Sequence, residues 1–141
     1  MKDRGLYVLV LRLKKGQKIK IAKLPETYFS PGCYFYVGRA KRGLKKRLER
    51  HLRKDKKLFW HIDYLLRKAE VLDVWIKLNS FNECRIVSQI RKFLKTSGIP
   101  QKKFGSSDCR CSSHVLYLSE VDGLKNLWKK LAFERAEIPG I

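Results

Sequence analysis

The sequence predicts a small α/β (α+β) fold in which a mostly antiparallel central sheet is flanked by helices. Three apolar segments have the composition of strands: residues 5–13, 33–37 and 71–78. Leucine recurs every fourth residue across 43–54, which is the spacing of an amphipathic helix. The chain has 141 residues, a length typical of one domain, and no linker or repeat divides it. We therefore expect residues 1–141 to form a single domain.

The first two strands are predicted from their apolar and aromatic residues. Residues 5–13 are apolar in both alternating sets, as in a central strand that is covered on both faces. Residues 14–16 predict a turn, and residues 18–23, in which lysine alternates with isoleucine and alanine, predict an exposed hairpin partner. The aromatic and β-branched residues 33–37 predict a second strand, which we expect to end at Gly38.

Two helices are predicted before the third strand. In residues 43–54 the leucines Leu44, Leu48 and Leu52 form an apolar stripe, and most residues between them are basic. This pattern indicates a helix that packs one face on the sheet and exposes a highly basic face. Residues 60–67 predict a second, shorter helix.

A third strand, residues 71–78, precedes a helix whose start is marked by a capping sequence. Ser80 and Glu83 have the S-x-x-E spacing of a capping box, and the helix is expected to end near Gly98. The rest of the chain predicts a polar loop, a short strand and a final helix, at residues 104–113, 115–118 and 124–133 respectively.

The charge of the chain predicts a polyanionic partner. Lys and Arg number 33 against 13 Asp and Glu, so the formal net charge is +20, and the excess is spread along the chain. A hydrophobic fraction of 44% excludes the composition of a disordered polycation. Nucleic acid is the polyanion that such a folded basic surface favours. We expect no membrane partner, because no segment approaches the ~18 consecutive apolar residues of a spanning helix.

The N-terminal apolar run does not predict a signal peptide. The run 6–11 is short, is followed by basic residues and lacks a small-residue cleavage site. We therefore expect a cytoplasmic protein. The oligomeric state is not predicted.

Two tripeptides and three single residues follow one another in a characteristic order. Gly5-Leu6-Tyr7 opens the first strand, and Tyr36-Val37-Gly38 lies in the second. Arg47 and His51 are four residues apart on the following helix, and Glu83 begins the third helix. Each tripeptide alone is a weak signal, but in its order and spacing the whole set resembles the GIY-YIG nuclease family. The chain looks like the small single-domain, Uri-like branch of that family.

The resemblance covers a core of about residues 3–97. Residues 98–141 lie beyond the common core of that family and contain a cysteine-bearing loop, a strand and a helix. The resemblance implies a GIY-YIG-like fold and a metal-dependent endonuclease that hydrolyses phosphodiester bonds in nucleic acid, with DNA favoured over RNA.

The resemblance also implies a role for each site residue. Glu83 would hold one Mg²⁺ or Mn²⁺, and Arg47 would contact the scissile phosphate with its fork of donors. The hydroxyls of Tyr7 and Tyr36 would converge on the attacking water. Either tyrosine could be the base, and His51 is a rival acceptor whose unperturbed pKa of about 6.5 is better matched to neutral pH.

A group of basic residues surrounds Arg47 in the sequence. Such residues would neutralise backbone phosphates without reading the base sequence. His61 either lines the same groove or lies at the edge of the core. The predicted nucleic-acid-binding residues are Arg39, Lys41, Arg42, Lys45, Lys46, Arg50, Arg53 and His61.

Three interpretations of the cysteines remain open. Cys84, Cys109, Cys111 and His114 could bind a structural Zn²⁺, although the C-x-C spacing is tighter than in most zinc sites. Free thiols are the default for a chain without a signal peptide, and a disulfide from Cys84 to the loop is the third interpretation.

One departure from the family pattern supports an alternative function. Many GIY-YIG nucleases have an asparagine one helix length after the catalytic glutamate, and the helix after Glu83 offers none. Ser107 or Asp108 in the loop could replace it. If neither does, the alternative is a non-catalytic basic nucleic-acid-binding protein on the same scaffold.

Overall fold

The computed structural model describes residues 3–94, 98–105, 113–119 and 126–136. In these ranges the chain forms seven strands and four helices. None of the described helices has the length and apolar character needed to cross a membrane. The elements in chain order are β1 (Gly5–Leu13), β2 (Gln17–Ile19), β3 (Thr27–Phe29), β4 (Gly32–Ala40), α1 (Leu44–Leu52), α2 (His61–Leu66), β5 (Glu70–Leu78), α3 (Glu83–Phe93), β6 (Val115–Leu118), α4 (Leu127–Lys130) and β7 (Glu134–Arg135).

The main sheet confirms the predicted fold class. Its five strands lie in the order β6-β4-β1-β5-β7, and each neighbouring pair is antiparallel. As predicted, the central strand β1 is buried on both faces. Tyr7, Leu9 and Leu11 face a core with α1 and α2, whereas Leu6 and Val8 face a second core with α3 and α4. We call the side of the sheet that carries Tyr7 the tyrosine face.

The hairpin prediction for residues 18–23 is wrong. Both edges of β1 pair with β4 and β5, so no edge remains for this segment. Instead, β2 pairs with β3 in a separate two-stranded sheet. Ile19, Ile21 and Phe29 are buried in the core of the tyrosine face, which explains why an otherwise lysine-rich segment folds back onto the domain.

The start of α3 also differs from the prediction. The N-cap is Asn82, whose side-chain oxygen accepts a hydrogen bond from the Arg85 backbone N–H at 3.1 Å. Ser80 is therefore not the capping residue, and Glu83 is the first residue of the helix rather than the fourth member of a capping box. This shift leaves the Glu83 carboxylate available for contacts outside its own helix.

Two predicted boundaries change elsewhere. Gly38 does not end the second strand, because β4 continues to Ala40. The last helix is a single turn, Leu127–Lys130, after which Ala132 adopts a left-handed conformation (φ 61°) and the chain continues as β7. The predicted helix start at residue 124 lies outside the described residues.

Candidate active site

The two tyrosines lie on the same face of adjacent strands. Tyr7 of β1 pairs directly with Gly38 of β4, and Tyr36 lies two residues before Gly38. Because side chains alternate along a strand, Tyr7 and Tyr36 both reach the tyrosine face, where their ring centroids are 6.2 Å apart. The sequence prediction that these two phenols lie in adjacent strands is confirmed.

The two motif glycines have steric roles. A Cβ atom at Gly38 would lie 2.4 Å from Tyr7 Cζ and 2.5 Å from Tyr7 Oη, so only glycine lets the ring lie across β4. Gly5 has φ +152°, and a Cβ there would lie 2.2 Å from the carbonyl oxygen of Lys77 in β5. The glycines therefore fix where the Tyr7 ring and the β5 backbone lie.

We expect Gly38→Ala to lower the free energy of unfolding by about 1–3 kcal/mol, because the new methyl group overpacks a buried ring. It should also displace the Tyr7 hydroxyl. Urea unfolding measures the loss, and Gly98→Ala is the control, since a Cβ at Gly98 meets no atom within 4 Å. Equal stability of the two variants would contradict the steric role of Gly38.

The Tyr7 hydroxyl bonds to the ring of His51. Tyr7 Oη and His51 Nε2 are 2.8 Å apart, and both side chains are buried. Burial is the main cause that lowers the pKa of His51 to about 3 and raises the pKa of Tyr7 to about 12. At neutral pH His51 is therefore neutral, and its tautomer with the proton on Nδ1 accepts the hydrogen bond that Tyr7 donates.

The other ring nitrogen of His51 faces Asp63. His51 Nδ1 lies 3.9 Å from Asp63 Oδ1, which is beyond hydrogen-bond distance, and it has no hydrogen-bond partner among the described residues. When Nε2 accepts from Tyr7, the imidazole proton is on Nδ1 and points to this carboxylate. His51 is thus hydrogen-bonded to Tyr7 on one side and lies close to the Asp63 charge on the other.

Asp63 is a buried carboxylate that stays ionised. It accepts two hydrogen bonds from Arg50, at 3.0 and 2.9 Å, and two from the backbone N–H groups of Phe59 and Trp60, both at 2.9 Å. Burial raises its pKa, but the bonds from Arg50 and the backbone outweigh that effect and hold the pKa below its usual value. Asp63 was not predicted from the sequence. The local pattern that marks this residue is its position three residues after the Trp60 N-cap.

The stability of the protein should depend on pH through His51. The unfolded state binds a proton on this residue below about pH 6.5, whereas the folded state does so only below a pKa of about 3. Acid therefore favours unfolding, and we expect the free energy of unfolding to fall by about 2 kcal/mol between pH 7 and pH 5 from this residue. His51→Gln, which cannot titrate, should flatten that slope in urea unfolding, and an unchanged slope would contradict the assignment.

Arg47 is held next to the tyrosine pair. Its guanidinium donates to the backbone oxygen of Arg39 at 2.9 Å and lies 4.4 Å from the ring centroid of Trp60. It is also close enough to the Tyr7 hydroxyl to lower the pKa of that group, which opposes the larger effect of burial. The contacts with Arg39 and Trp60 therefore hold one side of the Arg47 guanidinium, and its other donors face the tyrosine pair.

Glu83, the first residue of α3, also lies near the two tyrosines. Its Oε1 lies 3.1 Å from Arg39 Nε, and its Oε2 lies 3.2 Å from His114 Nδ1. Its charge reaches both tyrosines and raises the pKa of each, after the larger effect of burial. The backbone of His114 is fixed by hydrogen bonds to Phe104 and Val37, at 2.7 and 2.9 Å.

Glu83 is the residue of this site that would hold a divalent cation, if one binds. The described residues contain no group of three or more His, Cys, Asp and Glu that could enclose a metal. Mg²⁺ and Mn²⁺ need only one or two carboxylates when substrate phosphate and water supply the remaining oxygens. Glu83 alone meets that need, and Arg39 would have to release Oε1 to the ion.

The residues expected in a zinc cluster are placed only in part. Cys84 is disulfide-bonded, so it is neither the free thiol that was the default expectation nor an available zinc ligand. Its Sγ lies 3.9 Å from His114 Nε2. Cys109 and Cys111, with Ser107 and Asp108, lie outside the described residues. Cys33 is a buried free cysteine.

Some predicted nucleic-acid-binding residues also have internal partners. Arg50 bonds to Asp63 and to the backbone oxygen of Lys57, and His61 Nδ1 accepts a hydrogen bond from Gly105 N at 2.8 Å. Arg39 is exposed but paired with Glu83. Whether these three also contact phosphate stays a prediction. The other exposed members of the set are Lys41, Arg42, Lys45, Lys46 and Arg53.

One family model matches a region of the chain that contains all five predicted catalytic residues. The model of a family described as "Domain of unknown function DUF123" matches residues 6–136. The chain belongs to this family. No curated protein and no solved structure shows significant similarity to the chain. The DUF123 match includes Tyr7, Tyr36, Arg47, His51 and Glu83, and it extends through β6 and α4 to the end of β7.

Proposed function

We propose that this DUF123 protein is a metal-dependent endonuclease that hydrolyses phosphodiester bonds in nucleic acid, with DNA favoured over RNA. One observation carries the proposal. Tyr7, Tyr36, Arg47, His51 and Glu83 are supplied by β1, β4, α1 and α3, and they interact at one site. Each type of side chain matches a need of phosphodiester hydrolysis, and the resemblance of this set to GIY-YIG nucleases supports the same reaction.

In this proposal Tyr7 is the base, and His51 takes the proton that Tyr7 gives up. Water attacks phosphorus and transfers a proton to Tyr7 Oη, while the Tyr7 proton moves along the 2.8 Å hydrogen bond to His51 Nε2. The Asp63 carboxylate, 3.9 Å from Nδ1, favours the positive charge that would develop on His51, although burial has the larger effect and lowers the pKa of this ring to about 3. Because the proton moves on to His51, Tyr7 need not become a free phenolate despite its raised pKa.

Arg47 and Glu83 would stabilise negative charge on the phosphate, and Tyr36 would act on the attacking water. Arg47 has donors that can bond to the phosphoryl oxygens as negative charge develops on them. Glu83 would hold Mg²⁺ or Mn²⁺, and the bound ion would stabilise the charge on the phosphoryl and leaving oxygens. Tyr36, with its ring centroid 6.2 Å from that of Tyr7, would orient the attacking water.

The exposed basic residues would hold the rest of the substrate. With a net charge of +20, the protein is expected to bind the nucleic-acid backbone through contacts that weaken as salt is raised. None of these contacts reads bases, so sequence selectivity from them should be small. A cytoplasmic location is part of the proposal.

A cleavage assay on several substrates tests the proposal. Purified protein is incubated with single-stranded DNA, duplex, flap and branched DNA and RNA, each with Mg²⁺ or Mn²⁺. We expect cleavage of at least one substrate and its loss in Arg47→Ala and Glu83→Ala. Arg12→Ala and Glu26→Ala, which remove exposed residues of the same types, are the controls and should stay active. Cleavage that survives the first two substitutions would refute the proposal.

The alternative is a binding protein that uses the same basic surface without cleavage. The observation in its favour is that the Glu83 carboxylate already has two close neighbours, Arg39 and His114. It predicts tight, salt-sensitive binding of every substrate in the panel, with no divalent-dependent product. The cleavage assay separates the two functions directly.

A further inference from the structure

One large aromatic side chain beside the candidate active site is turned to solvent. The relative exposure of Phe59 is 75%, the highest among the large hydrophobic residues of the described ranges. Its backbone is nevertheless fixed, because Phe59 N donates to Asp63 Oδ2 at 2.9 Å. An exposed apolar ring on a fixed backbone is available for contact with a ligand.

The position of Phe59 is coupled to the site through Trp60. The Phe59 ring packs edge-on against Trp60, with centroids 5.3 Å apart and an interplanar angle of 83°. Trp60 in turn lies 5.7 Å from His51, and the guanidinium carbons of Arg47 and Arg50 lie over its ring at 4.4 and 4.6 Å. Trp60 is thus occupied by internal contacts, whereas Phe59 is open.

The surroundings of Phe59 favour nucleic acid over another apolar surface. Arg53, Lys54 and Lys57 are all exposed in the segment that leads to it. Proteins that bind unpaired nucleotides combine exposed aromatic rings, which stack on the bases, with cations that pair with the phosphates, and Phe59 with its basic neighbours offers both elements. The bases of an intact duplex are already stacked on each other and leave no face for Phe59.

We propose that Phe59 stacks on an unpaired base adjacent to the scissile phosphate, so that the substrate class is single-stranded or locally unpaired nucleic acid. This inference rests on the proposed function, because it places the base next to the phosphate that Arg47 would hold. Phe59 is a specificity residue in this proposal and takes no part in proton transfer.

The test measures binding in the absence of divalent ions, so that cleavage does not interfere. One oligonucleotide carries the fluorescent base 2-aminopurine, and it is used both as a single strand and in a blunt duplex of the same sequence. We expect the wild-type protein to quench 2-aminopurine in the single strand, and Phe59→Ala to abolish the quenching and raise the single-strand Kd at least about fivefold. Affinity for the duplex should be unchanged.

Two variants serve as controls. Phe59→Tyr keeps an aromatic ring and should retain quenching and affinity. Phe93→Ala removes another half-exposed aromatic, at the opposite end of α3 from Glu83, and should change neither measurement. Circular dichroism checks that each variant is folded.

Three results would overturn the inference. These are wild-type protein that does not quench the single strand, Phe59→Ala that binds it as tightly as wild type, and equal weakening of single strand and duplex. The first needs no variant, so poor folding of Phe59→Ala cannot decide the test. Glu83-dependent cleavage without an effect of Phe59 would refute only the stacking, whereas Phe59-dependent quenching without cleavage by any form would refute the nuclease.

Discussion

Tyr7→Phe should lower the rate of phosphodiester cleavage by about 10²–10⁴-fold, which is the contribution typical of a positioned general base. The substitution removes only the hydroxyl oxygen that lies 2.8 Å from His51 Nε2. Water then has no acceptor at that position, because in this proposal His51 receives the proton only through the Tyr7 oxygen. Affinity for nucleic acid should change little, because the exposed cations that bind phosphate are retained.

The matched control is Tyr34→Phe. Tyr34 is also a buried tyrosine of the tyrosine face, but its hydroxyl donates to the Ser30 backbone oxygen at 2.6 Å. Single-turnover cleavage and a binding titration should show a fast Tyr34→Phe and a slow Tyr7→Phe with similar Kd values. Wild-type rates in Tyr7→Phe would remove this residue from the reaction and make Tyr36 the remaining phenol that could act as base.

Asp63→Ala should lower the free energy of unfolding by about 3–5 kcal/mol, the range expected when one member of a buried ion pair is removed. The Asp63 carboxylate is fully buried and satisfies two nitrogens of Arg50 and two backbone N–H groups. Its loss leaves the guanidinium without its partner and both N–H groups without an acceptor. The segment that carries Phe59 and Trp60 would then lose its anchor.

Asp73→Ala provides the comparison for urea unfolding. Asp73 also accepts from an arginine and a tryptophan, Arg135 at 2.9 Å and Trp75 at 3.0 Å, but Arg135 is largely exposed. Surface pairs of this kind contribute about 0–1 kcal/mol, so its loss should be much smaller. Adding Arg50→Met to Asp63→Ala should recover part of the stability, because the unpaired charge is then removed. A loss at Asp63 no greater than that at Asp73 would contradict the role of Asp63 as the buried anchor.

The parts of the fold that were predictable are those set by local composition. Gly5–Leu13 is apolar in both alternating sets, which is enough to indicate a strand at the centre of a sheet. The leucine stripe of α1 indicates its buried face. Among the site residues, the tripeptides Gly5-Leu6-Tyr7 and Tyr36-Val37-Gly38 were informative. They lie on neighbouring strands, so the two-residue repeat of side chains and the strand register place Tyr7 opposite Gly38.

The parts that were not predictable depend on contacts between distant residues. Asp63 is 12 residues after His51, and its role follows from a buried pair with Arg50 that no spacing rule specifies. The partners of Glu83 are likewise distant in the chain, since Arg39 lies in β4 and His114 just before β6. The segment 18–23 was misassigned because its lysines indicate an exposed edge, whereas burial of Ile19 and Ile21 against the tyrosine face decides its position.

The most direct test of the central claim compares wild type with Glu83→Gln on one substrate, measuring both Kd and the single-turnover cleavage rate in Mg²⁺ and in Mn²⁺. Glutamine keeps the size of the side chain and removes the charge that would hold the ion. We predict a Kd within about threefold of wild type and a rate at least about 100-fold lower with either metal. Equal cleavage by the two proteins, or binding by wild type without cleavage in either metal, would contradict the assignment of this DUF123 protein as a metal-dependent nuclease.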